Sequence, residues 1–107
     1  MTSSGPFSGP AARRYARAIF EAARSAGALE EVAGDMEVLE GVTSDSIISE
    51  WMADPRMDES KRSAILEREI GAKAHSLTQG LLQVLARRRR HSLLSEIPGA
   101  FLRFLDA

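Results

Sequence analysis

The residues of this chain that could do chemistry are few, and their spacing decides what they can do. The two histidines, His75 and His91, lie sixteen positions apart, outside HExxH or any pairing that would turn two imidazoles onto one metal. Asp54 and Asp58 bracket Pro55, a spacing that suits turn and helix capping better than paired acid–base work. The glycines of "SGPFSGP" precede no strand and carry none of the Lys, Ser or Thr positions of a phosphate cradle. No serine sits in a nucleophile-elbow context. Cysteine is absent, which excludes disulfides and thiolate metal sites and permits a cytosolic address. Residues 87–90 are four consecutive arginines, which attract phosphate. Against nucleic-acid binding stand the net charge of −1, the 6% aromatic content and the lack of an RNP or helix-turn-helix signature. A helix C-terminus also favours cations by itself. No constellation supports catalysis, and no metal or cofactor is implied.

With 107 residues, 44% of them hydrophobic and 27% charged, the chain has the size and profile of one globular domain. No apolar run approaches the roughly 18 residues that cross a bilayer, so no membrane insertion is expected. The N-terminus "MTSSGPFSGP" has neither the basic nor the apolar region of a secretory signal. Residues 1–10 read as a disordered Ser/Gly/Pro segment and residues 11–107 as the folded domain. Charge is unevenly spread. Residues 27–43 hold Glu30, Glu31, Asp35, Glu37 and Glu40 with no Lys or Arg, while the arginine run lies elsewhere. Such a division orients partners electrostatically, or simply solvates helix faces.

Hydrophobic periodicity predicts six helices and no strand, an all-α bundle of short helices in a single domain. The first covers residues 11–26 and stops at Gly27. The second, Leu29 to about Val42, carries one clean stripe of Leu29, Val32, Met36, Leu39 and Val42. A short third helix starts at Ser44 or Asp45, carries Ile47, Ile48, Trp51 and Met52, and ends before Pro55. The fourth is capped by Asp58, has Glu59 at its positive end, buries Ala64, Ile65, Leu66 and Ile70, and closes at Gly71. The fifth takes Ser76 as its N-cap. The sixth takes Ser95, which puts Pro98 at the third helical position, where no intrahelical N–H bond is lost.

The first and fifth helices carry more apolar surface than one packing face needs. Each apolar arc spans roughly 200°, against the ~100° stripe of an ordinary surface helix. Tyr15, Ala18 and Ala22 form one edge of the first, beside Ile19. Leu77, Leu81 and Val84 form the matching edge of the fifth, beside Leu85. Set side by side, these edges frame an apolar groove suited to an amphipathic helix from another chain. Tyr15, Leu81 and Val84 are the candidate anchors. Arg14 and Arg88 are rim charges acting on association rate. Two other uses of these residues stay open: a homodimer burying the same arc, or a small helical nucleic-acid-binding domain using Arg87–Arg90.

Three stretches carry a family resemblance. "ARRYARAIFEAARSAGALEEV" resembles the opening helix of the delta subunit of bacterial F-type ATP synthases, the oligomycin-sensitivity-conferring protein of mitochondria. Its pattern R-Y-A-x-A-(L/I)-F-x-x-A-x-x-x-G-x-L-E is matched by Arg14, Tyr15, Ala16, Ala18, Ile19, Phe20, Ala23, Gly27, Leu29 and Glu30. "MADPRMDESKRSAIL" resembles the family's L-x-(N/D)-P turn and following helix through Asp54, Pro55 and Lys61. "LLQVLARRRRHSLLSEI" resembles L-x-x-L-A-x-N-x-R-L-x-L-L-P-x-I through Leu82, Leu85, Ala86, Arg90, Leu93, Leu94 and Ile97. Arg88 and Arg89 replace the usual Asn-Gly turn, His91 replaces a leucine, and Ser95 replaces a proline. The resemblance implies a six-helix N-terminal domain of a non-catalytic stator subunit, peripheral at the cytoplasmic face of the bacterial inner membrane. Its implied partner is the alpha-subunit N-terminal helix, taken between helices one and five at the top of the catalytic head. The peripheral stalk b subunit is implied to bind a C-terminal domain absent from this sequence, so a domain fragment is expected, with a naturally short protein the alternative.

Overall fold

The computed structural model describes residues 9–107, and eight of the ten residues expected to be disordered lie outside that range. The ninth and tenth belong to the fold. Helix α1 (Pro10–Ala26) opens on a proline, whose missing N–H is one of the groups a helix start leaves unpaired anyway. The N–H of Gly9 donates to Glu96 Oε1 at 2.8 Å, tying the start of α1 to the start of the last helix. At the other end Gly27 turns left-handed at φ 67°, and the N–H of Ala28 reaches back to the Ala23 carbonyl at 2.8 Å.

Helix α2 (Leu29–Ser44) buries Val32, Met36 and Leu39 and leaves Leu29 and Val42 half-covered. Helix α3 (Ser46–Ala53) is capped by Asp45, whose Oδ1 accepts from the N–H groups of Ile47 at 2.9 Å and Ile48 at 3.2 Å. Of the apolar residues expected in α3, Met52 is buried, whereas Ile47 is 74% exposed. Helix α4 (Glu59–Glu69) is capped by Asp58, which accepts from Ser60 N–H at 3.1 Å. The expected inner face of α4 needs correction. Leu66 and Ile70 are buried, but Ala64 is exposed and Ile65 half-buried, while Arg62 is taken inside at 8% exposure. Ala64, Ile65 and Leu66 are consecutive and fan out over some 200° of helix, so a single neighbour cannot cover all three.

A 3-10 turn, Gly71–Lys73, leads into α5 (Ser76–Arg87). The N-cap is His75 rather than Ser76: its Nδ1 accepts from Leu77 N–H at 3.1 Å, as an Asx oxygen would. Asp35 of α2 reinforces that start, its Oδ2 accepting from His75 N–H at 2.9 Å and from the Thr78 hydroxyl at 2.7 Å. After Arg87 the chain turns through Arg89 at φ 56°, so the left-handed turn survives without its usual glycine. Arg90 N–H bonds to the Leu85 carbonyl at 2.8 Å across it.

Ser95 is likewise not a helix cap. It ends a 3-10 turn, His91–Ser95, and its hydroxyl donates to the Ser92 carbonyl at 3.0 Å. Helix α6 (Ile97–Asp106) starts after Glu96, which places Pro98 at the second helical position, still within the donor-free first turn. Helix α6 lies chiefly along α1 and α2. Phe101, fully buried, meets Phe20 edge-on with ring centroids 5.6 Å apart. The guanidinium of Arg17 sits 5.2 Å above the Phe104 ring. Six α-helices and no strand make up the described residues, one all-α bundle around a single core.

Candidate functional site

The eight residues expected to line a groove between α1 and α5 divide by burial. Leu85 is fully buried and belongs to the core beneath, because it sits about 80° around α5 from Leu77, on the inward side. Ile19 and Leu81 keep 6% and 8% of their surface, enough to form a floor. Tyr15, Ala22, Leu77 and Val84 are half-covered, and Ala18 is exposed.

One hydrogen bond registers the two edges. Arg88 Nη1 donates to the Tyr15 hydroxyl at 3.1 Å. On helical geometry Arg88 shares the face of Leu77 and Val84, and Tyr15 shares the face of Ala18 and Ala22. The bond therefore brings those two faces alongside one another at the start of α1 and the end of α5. It also closes one end of the seam with a polar clasp. Arg14, the other expected rim residue, is exposed.

Gly80 was not among the expected residues, yet it lies between Leu77 and Val84 on the α5 edge. A Cβ built there meets nothing within 4 Å. Like Ala18 and Ala22 on the α1 edge, Gly80 adds no bulk to the α5 edge. The signal was in the sequence: a glycine inside an apolar helical pattern, three residues from Leu77 and four from Val84.

A second feature went unread. His91, 3% exposed, lies with its Nδ1 3.1 Å from Glu59 Oε1, out of hydrogen-bonding alignment. Glu59 Oε2 accepts from Arg62 Nη1 at 3.2 Å, and Arg62 Nη2 donates to the Asp54 carbonyl. The cluster fastens the start of α4 to the 3-10 turn after α5. Burial holds the His91 imidazole below its ordinary pKa, with the Glu59 charge opposing and the Arg62 charge adding to that shift. Asp54 accepts from the backbone and guanidinium of Arg56, at 2.9 and 3.1 Å, which lowers its carboxyl pKa. Both histidines and both aspartates thus have structural work, as caps or buried pairs. The arginine run likewise forms the α5 terminus: Arg87 ends the helix, Arg88 clasps Tyr15, and Arg89 and Arg90 build the turn.

An all-α domain of six helices, with half-covered apolar residues on α1 and α5 and its two histidines engaged in a cap and a buried pair, falls in the class of small helical bundles. The comparisons narrow the class. A family profile described as ATP synthase delta (OSCP) subunit matches residues 11–107. The chain is 33% identical to the ATP synthase subunit delta of Symbiobacterium thermophilum over 91 residues, which is 84% of this chain and 49% of that protein. It is 32% identical to the same subunit of Cytophaga hutchinsonii over 93 residues, 86% of this chain and 51% of that protein. Against the Paramagnetospirillum magneticum subunit it is 33% identical over 103 residues, 92% and 55% of the two chains. No solved structure matched. The chain belongs to the ATP synthase delta (OSCP) subunit family, and it spans about half the length of the curated relatives it matches. Among the described residues no helix is long and apolar enough to cross a membrane.

Proposed function

We propose that this domain is a non-catalytic stator element of a proton-translocating F-type ATP synthase, and that its α1/α5 seam receives the N-terminal helix of an alpha subunit. The observation that carries the reading is the Tyr15–Arg88 bond. It links two half-covered apolar edges, on which Ala18, Ala22 and Gly80 are the small residues. A helix laid there would bury its own apolar stripe against Leu77, Val84 and the Tyr15 ring. Holding a catalytic head against a turning rotor requires long residence and no chemistry. Burial of about 600 Å² of apolar surface gives a gross gain of about 15 kcal/mol, much of it offset by association and ordering. Affinity then rests on a few anchors, Tyr15, Leu81 and Val84. Arg14 and Arg88 at the rim govern rate and salt dependence. In this reading the domain works at the top of the head, peripheral to the cytoplasmic face of the bacterial inner membrane. The b subunit of the peripheral stalk binds the C-terminal part found in the longer relatives.

Titration of the chain with a peptide of the alpha-subunit N-terminus, followed by calorimetry and amide chemical shifts, tests this. The expected result is saturable binding with shifts concentrated on α1 and α5. Ala18→Glu, at an exposed position, should abolish binding and leave the fold intact. Unchanged affinity in that variant removes the seam as the binding site. Nucleic-acid binding through Arg87–Arg90 is not favoured, since all four arginines have defined roles at the end of α5 and the family match points elsewhere.

A further inference from the structure

A different surface, on α2 and α3, is also apolar and uncovered. Val38, Gly41, Val42 and Ile48 line an open depression of about 520 Å³, with the carboxylates of Asp45 and Glu69 at its margin. Val38 is 50% exposed, and Ile47, next to Ile48 on the first turn of α3, is 74% exposed. These are two of the three large hydrophobic side chains found exposed among the described residues. A depression lined by Val38, Val42 and Ile48 offers apolar surface that a partner could cover.

The charge that α2 and α3 bring to the depression says what fits it, while on α4 Glu69 lies 4.0 Å from the exposed guanidinium of Arg68. Residues 29–50, all of α2 and the first half of α3, carry Glu30, Glu31, Asp35, Glu37, Glu40, Asp45 and Glu50 and not one Lys or Arg. Asp35 is engaged at the start of α5 and Asp45 caps α3. Anionic lipid and nucleic acid are repelled from such a surface, and an acidic helix with them. We propose that the depression is a docking site for a cationic amphipathic helix of another polypeptide, its apolar stripe on Val38, Val42 and Ile48 and its Lys or Arg side chains toward Asp45, Glu69 and the α2 carboxylates. This surface is separate from the α1/α5 seam, whose rim is basic (Arg14, Arg88), so the two select partners of opposite charge.

The probe is a leucine–lysine peptide of about 18 residues with its leucines at helical spacing, compared with a scrambled isomer and with a leucine–glutamate counterpart. Amide shifts and calorimetry on the chain should place the leucine–lysine helix on residues 38–48 and 69, with the scrambled isomer binding at least tenfold more weakly. Gly41→Lys is the blocking variant, because a side chain there enters open space and leaves the helix undisturbed. It should weaken binding by tenfold or more, whereas Gly80→Glu, on the other surface, should leave it unchanged. Equal binding of the scrambled isomer, shifts confined to α1 and α5, or full affinity in Gly41→Lys overturns the proposal. Self-association of the free chain that disappears in Gly41→Lys would assign the depression to a second copy and overturn it as well.

Discussion

Gly80 offers a perturbation whose effects on folding and on binding have opposite signs. It lies within α5, and a Cβ at that position meets nothing within 4 Å. Replacing it by alanine removes the entropic penalty of glycine in a helix, about 0.5 to 1 kcal/mol, with no steric cost. For a domain of this size that raises Tm by about 3 to 6 °C. Gly80→Glu gains most of the same helix propensity, but puts a charged side chain where an alpha-subunit helix would lie. Burying that group without a partner costs about 1 to 3 kcal/mol or more, which is about tenfold to a hundredfold or more in affinity. The assay pairs a thermal melt with calorimetric titration of the alpha N-terminal peptide. Alanine should stabilise and bind nearly as before; glutamate should stabilise and bind poorly. If glutamate binds within twofold of the parent chain, no helix occupies the seam beside Gly80. A lower Tm for alanine would refute the packing argument itself.

Three further outcomes concern the fold that holds the site. Asp35→Ala removes the single acceptor of both long-range bonds at the start of α5 and should destabilise by about 1 to 3 kcal/mol in urea unfolding, with Asp35→Asn recovering part of the loss. Gly27→Ala forces an L side chain into φ 67° and should cost about 1 kcal/mol by the same measurement. The buried His91 has its folded pKa below the unfolded value near 6.5, so between those two values the unfolded chain binds more protons. Its contribution is complete above about pH 6.5 and declines as pH falls toward the folded pKa. His91→Leu should flatten the dependence of Tm on pH just below 6.5, and identical slopes for the two proteins would refute the assignment.

What could be read from the sequence was set by the range of the interaction concerned. Gly27, Asp45 and Asp58 end or begin helices through bonds to residues two to four positions away, and their types alone announced them. Asp35 does the same work for α5 from forty residues away, so in sequence it looked like one more solvated acid. Arg62 is inside because Glu59 and the Asp54 carbonyl meet its guanidinium, contacts that helical periodicity does not encode. His91 went unread for a related reason: its partner Glu59 precedes it by 32 positions, and only the packing of α4 against α5 brings the two together.

The seam shows a subtler limit. Arc width on a helical wheel measures apolar surface that must be covered, not surface left for a partner, and the domain's own helices take their share first. On α5 that share includes all of Leu85 and nearly all of Leu81; on α1 it includes Ala16 and nearly all of Ile19. What remains is narrow, with small residues, Ala18, Ala22 and Gly80, set among the larger Tyr15, Leu77 and Val84. A helix bound as proposed would come close to backbone at Ala18 and Gly80, leaving room for a methyl group but making its affinity sensitive to a single long or charged side chain in a way a broad hydrophobic patch would not be.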